Sequence, residues 1–346
     1  PTAVVIDRID RVLSGLELLE SVTGVPGLVG RCVVPDEVSD GITDKPEVWR
    51  SAAVPGYHYR FDVSKDQYSG LVFGLVAGAV LLDGSDTIAL RQRCREFLVR
   101  CARHLDAGDL RIRQRDGRVV RFGDLRGRIL GVPIGVHAAI ALPMFRAWAR
   151  FSESRTDRRR AAIRTEELIG DLEPLHVELF GIRKYSNALM GAAGMASLSI
   201  VETDPAWRRV YRRAFVEFIR DFAGEGNAFF HSIARNLDLG DGEEEERCMR
   251  NLWHARLGFE FIEVSEDRFD GVPRRWIPGR RWQRRSAEAL PLAVRPQSTF
   301  CWRTDPYDLR RDDGAAGELI ASGADLFCAY WFGRYTGWIP GPSESQ

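Results

Sequence analysis

The chain repeatedly pairs an almost wholly apolar helical segment with an arginine-striped one. Residues 66 to 82 (DQYSGLVFGLVAGAVLL) are apolar on every side, and 83 to 85 make a short turn. In 86 to 105, Leu90, Cys94, Phe97, Cys101 and Leu105 then fall on one helical face. The contrast returns in 186 to 201 against 204 to 222, where Trp207, Tyr211, Ala214, Phe218 and Phe222 form the stripe. A helix apolar all round must be enclosed by protein, and a one-sided helix must lie outside it. The expected fold is all-α: a two-layered (α/α)6-type toroid of helical hairpins, with a small β-hairpin insertion near 110–122.

Closed helical rings need a chain of this length, 346 residues, and 45% hydrophobic residues suffice for a large core. With no repeat and no low-complexity linker, one domain is expected over 1–346, carrying irregular insertions at 25–65 and 258–317. The formal net charge is zero, which argues against nucleic acid or an anionic membrane as partner. The longest apolar run, Leu71 to Leu82, falls short of the ~20 residues that span a bilayer. Six cysteines form no CxxC pair, Cys94 and Cys101 on the stripe read as small buried thiols, and a reduced, cytosolic setting is expected; no signal peptide is seen, and a leader removed ahead of Pro1 stays open.

Further helices are expected at 3 to 22 (stripe Val5, Ile9, Val12, Leu16, Leu19), 134 to 150 with a kink at Pro143, 157 to 170, 227 to 237, 242 to 257 and 318 to 335. Alternation around Asp116-Gly117 marks the hairpin. Gly70, Gly74 and Gly78 form a ridge suited to close helix approach, and Glu243 to Glu246 suit a helix N-terminus. Connections leaving the apolar helices are short, whereas those entering them are mostly long. If those helices run parallel, the long loops gather at their starts, where binding and catalysis concentrate. Polar residues mark those starts: Lys65, Asp66 and Gln67; His137; Lys184, Tyr185, Ser186 and Asn187; Asn227 and His231. Most have a plain structural role open to them, as caps or as hydrogen-bonded core histidines.

No HExxH, Walker, GxGxxG or GxSxG signature is present, and neither a cofactor nor a metal is expected. What remains is a spread of aromatic, guanidinium and carboxylate groups, a combination that suits a carbohydrate, particularly an acidic one. The hairpin layout, with YHYRFDVSKDQYSGLVFGL (57 to 75), DGRVVRFGDL (116 to 125), NAFFHSI (227 to 233) and YWFGRYTGWI (330 to 339), resembles the helical-toroid carbohydrate-active proteins, the six-hairpin glycosidases. The resemblance implies a bowl at the inner-helix starts and a carboxylic acid acting on a glycosidic bond, a position matched by Asp66. Hydrolysis uses two carboxyl groups, and Asp62, Glu178 and Asp305 compete for the second place. The expectation is a glycoside hydrolase acting on an oligo- or polysaccharide. Asp66, His58 and His231 are the candidate catalytic groups. Tyr59, Arg60, Lys65, Tyr68, Tyr185, Asn187, Asn227, Trp302, Arg303, Arg334 and Tyr335 are candidates for holding substrate. The alternatives are a polysaccharide lyase with a His or Tyr base, a non-catalytic binding protein, and a helical cyclase of an apolar substrate.

Overall fold

A computed structural model describes residues 2–38, 47–129, 131–172, 175, 185–253, 286, 288–290, 305–307 and 324–341. The described chain is mostly helical, with ten α-helices and three small antiparallel sheets. It divides into two compact units, Pro1–Val177 with Met190–Trp207, and Glu178–Leu189 with Arg208–Gln346.

The first unit runs α1 (Ala3–Ser21), β1 (Cys32–Pro35), β2 (Val48–Arg50), β3 (Tyr57–Arg60), α2 (Lys65–Leu81), α3 (Ile88–Ala107), β4 (Arg111–Arg113), β5 (Val119–Asp124), β6 (Arg128–Ile129), β7 (Val132–Pro133), α4 (Gly135–Phe151) and α5 (Arg155–Ile169). It also takes in most of α6 (Tyr185–Val201). At its centre stands α4, where every residue from Gly135 to Trp148 except Arg146 is buried, and Pro143 sits inside the helix without ending it. Helices α3 and α5 pack on α4, and α2 packs on both α3 and α4. Gly194 of α6 meets the α4 backbone so closely that a Cβ there would collide with the Ala139 carbonyl oxygen. The predicted α3 stripe is buried throughout, and its Cys94 and Cys101 are free thiols.

Two helical expectations need correction. Val5 and Val12 of α1 are exposed, and the helix is anchored through Leu13 and Glu20 instead. Glu20 is held because its carboxylate accepts from Arg100 at 2.7 and 2.8 Å and from the Gly27 N–H at 2.6 Å. Nor is α2 enclosed on every side. Asp66, Gly70 and Gly74 are exposed along one ridge, and among the described residues nothing comes within 4 Å of a Cβ at either glycine. Only Gly78 serves close approach, towards Cys94 of α3.

The stretch 25–65 is not wholly irregular, because it holds the three-stranded sheet β1-β3-β2, with His58 opposite both Val34 and Arg50. Strands of three or four residues are too short for a period of two to stand out. The predicted hairpin forms as β4–β5, turning at Gly117 with φ +82°. Within β5, Phe122 bridges Ser64 in parallel and ties the hairpin to the start of α2. A second hairpin, β6–β7, leads directly into α4.

The second unit holds most of α7 (Pro205–Asp221) with α8 (Ala228–Asn236), α9 (Gly242–Trp253) and α10 (Ala324–Tyr335). Its core is aromatic: Phe215 stacks on Phe218 at 5.0 Å, and Phe218 meets Phe230 edge-on at 5.0 Å. The acidic start of α9 works as expected of a helix N-terminus. Glu244 also accepts the N–H groups of Gly224 and Gly226, at 3.2 and 2.9 Å. Among the described residues, no helix is long and apolar enough to cross a membrane.

Candidate active site at the start of α2

Strand β3 feeds α2 through a short extended segment that ends at Ser64. The helix start is closed by Gln67, whose side-chain oxygen accepts the Ser64 N–H at 3.2 Å. Capping therefore does not require Asp66. The Asp66 carboxylate is exposed and, among the described residues, makes no hydrogen bond or ion pair. One and two turns further along the same ridge lie the bare backbones of Gly70 and Gly74.

The start of α4 lies close to that of α2. His137, in its first turn, is 4% exposed, and its Nδ1–H donates to the Arg126 carbonyl at 3.0 Å. A carbonyl only accepts, so in the neutral ring the lone pair is on Nε2. Burial and then the Lys65 charge lower the imidazole pKa to about 4, against the opposing pull of the Arg126 carbonyl and Asp124. Asp124 ends β5. Burial disfavours its charge, but hydrogen bonds from the Arg126 guanidinium and N–H outweigh this and keep its pKa below the usual carboxylate range. Lys65, Asp66, Asp124 and His137 thus gather where two apolar helices begin, with an ammonium, a neutral imidazole and two carboxylates in one region.

The remaining sequence-predicted residues of the first unit have structural roles. Tyr68 is fully buried, and its hydroxyl donates to the Gly27 carbonyl at 2.7 Å, so it cannot meet a ligand. Tyr59 is buried edge-on against Trp49, and burial raises its pKa. Arg60 is clamped by Asp62 at 2.7 and 3.1 Å, which also removes Asp62 as an uncommitted second carboxylate. His58 is half-buried, with Nδ1 3.0 Å from Asp36 Oδ1.

In the second unit, Tyr185 and Asn227 are brought together. The Tyr185 hydroxyl donates to Glu225 at 2.8 Å and accepts from the Asn227 amide at 2.9 Å. Asn227 also caps α8 by accepting from the N–H groups of Phe229 and Phe230. Both are buried and spent on holding the turn before α8. His231 is buried against Trp338, with Nε2 3.4 Å from Glu245; burial lowers its pKa, and Glu245 opposes that. Asn187 is half-buried in the first turn of α6, and Arg334 donates to the Pro340 carbonyl. Tyr335 is exposed, as are Trp331 and Phe327, one and two turns before it. Asp305 accepts the Tyr307 N–H at 3.0 Å. Glu178, Lys184, Trp302 and Arg303 lie outside the described residues.

Among the described residues, no group of three or more His, Cys, Asp or Glu side chains converges to hold a metal ion. Comparison with known protein families, with curated proteins and with solved structures returned no match. Reading the sequence passed over Asp124 and Phe122, and noted His137 without including it among the site residues. The usable signal was positional: the hairpin that carries the first two runs straight into the segment preceding an apolar helix.

Proposed function

We propose that the chain is a toroid of helical hairpins and a glycan-processing enzyme, a glycoside hydrolase in which Asp66 is the acid/base group. The observation that carries this reading is the open ridge of α2. An uncommitted carboxylate stands at its foot, and two glycines leave the backbone bare above it. A sugar ring could lie flat on such a surface with its glycosidic oxygen towards Asp66. Among the described residues Asp124 is clamped by Arg126 as Asp62 is by Arg60, which leaves Asp66 as the uncommitted carboxylate at this helix start. The expected outcome for Asp66→Asn is loss of turnover on an oligosaccharide panel, with the thermal midpoint unchanged and ligand binding retained. A fully active Asp66→Asn protein would remove the assignment.

One observation favours a polysaccharide lyase as second reading: a neutral imidazole, with Nε2 able to accept a proton, lies within electrostatic reach of the Lys65 ammonium. The ammonium would neutralise a uronate carboxylate while the imidazole takes the neighbouring proton. The same panel separates the two chemistries. A lyase leaves an unsaturated product that absorbs in the ultraviolet, and a hydrolase leaves only a new reducing end.

A further inference from the structure

We propose that Arg121 and Phe122 on β5 form an anionic-sugar lip beside Asp66, making the substrate a uronate-containing glycan; this rests on the glycan-processing reading above.

The β4–β5 hairpin commits most of its arginines. Arg111, Arg118 and Arg126 are each paired with an aspartate two residues away, Asp109, Asp116 and Asp124. The Arg113 guanidinium is taken up by the carbonyls of Gly108 and Gly117. Arg115, in the turn, and Arg121 pair with no carboxylate among the described residues; of the two it is Arg121 whose guanidinium lies over an aromatic ring, that of Phe122, 5.0 Å from the centroid. Such a contact orients the planar fork while leaving its donors available.

Phe122 is 51% exposed, and its backbone bridges Ser64, two residues before Asp66 and next to Lys65. An aromatic ring, an oriented guanidinium and an ammonium therefore border the same helix start as the uncommitted carboxylate. A pyranose presents an apolar C–H face that packs on an aromatic ring. A carboxylate on that sugar matches the bidentate geometry of a guanidinium. A neutral glycan would use the ring and leave the Arg121 guanidinium idle.

The test uses the full chain carrying Asp66→Asn, so that nothing is turned over. Oligogalacturonate, oligomannuronate and hyaluronan fragments, each beside its carboxyl-reduced counterpart, are titrated by calorimetry. At least one acidic member should bind about tenfold tighter than its reduced form, with the preference shrinking as salt rises. Arg121→Gln, at an exposed position, should erase that ratio. Phe122→Ala should weaken both members of the pair alike, because stacking is blind to the charge. No binding by any acidic member, or a ratio that survives Arg121→Gln, overturns the proposal. Asp66-dependent turnover of neutral glycans without acidic preference removes the lip and leaves the hydrolase. An Arg121-dependent acidic preference, with turnover indifferent to Asp66, removes the hydrolase and leaves the lip.

Discussion

At the scale of single residues, His137 shows how packing decides chemistry. Its folded pKa is about 4, well below the ordinary value of 6.5, so the unfolded chain binds the extra proton first as pH falls. The stabilisation from keeping this ring neutral is complete above pH ~6.5 and is lost as pH drops towards 4, amounting to about 3 kcal/mol. His137→Asn can still offer an N–H to the Arg126 carbonyl but carries no titrating ring. Thermal midpoints measured between pH 7 and 4 should therefore fall less steeply for the variant than for the natural chain. Some slope will remain, since burial also lowers the pKa of His104 and His231. Equal slopes in the two proteins would mean that the imidazole is not held neutral. Above pH ~5 the ring is available to accept a proton at Nε2, the property on which the lyase reading depends.

At the scale of elements, glycine in an apolar helix has two opposite meanings here. Gly194 lets α6 touch α4, so Gly194→Ala forces two helices apart and should cost several kcal/mol, seen as a large drop in thermal midpoint. Gly74 meets nothing among the described residues, so Gly74→Ala should stabilise α2 by up to about 1 kcal/mol through helix propensity alone. If the open ridge receives substrate, that same variant should bind it more weakly while melting higher, a split that a purely structural glycine would not produce. Both glycines look alike in the sequence. Periodicity reports how apolar a helix is, and so the α3 stripe, the enclosed α4 and the hairpin at Gly117 were legible in advance. It does not report which neighbour covers each face. For that reason the ridge of α2, the polar anchoring of α1 through Glu20 and the burial of Tyr68 had to be seen in three dimensions. The strands of 25–65 escaped for a different reason: the β1–β3 ladder pairs residues 22 to 28 positions apart, from Pro35 with Tyr57 to Cys32 with Arg60, which no local pattern encodes.

At the scale of the whole molecule, the two units are not consecutive pieces of chain. The chain passes from one to the other after Val177, after Leu189 and after Trp207, so the first unit is completed only by Met190–Trp207. That returning segment carries what α4 needs. It brings Gly194 against Ala139, and it supplies Glu202, whose side chain is almost fully buried and accepts from Arg146 at 2.7 and 3.1 Å. Trp207 then covers the Arg146 guanidinium, 5.0 Å from the ring centroid. A fragment ending at 177 would strip the apolar α4 of this cover and leave Arg146 without its carboxylate, exposing to water a helix whose side chains are apolar on nearly every face. A fragment ending at 207 keeps the pair, the glycine contact and the aromatic cover. Circular dichroism should show cooperative thermal unfolding for residues 1–207 and a broad, non-cooperative transition with aggregation for 1–177. Should the shorter fragment melt as sharply and as high as the longer one, α4 would not depend on the returning segment, and the enclosure of apolar helices would need another source.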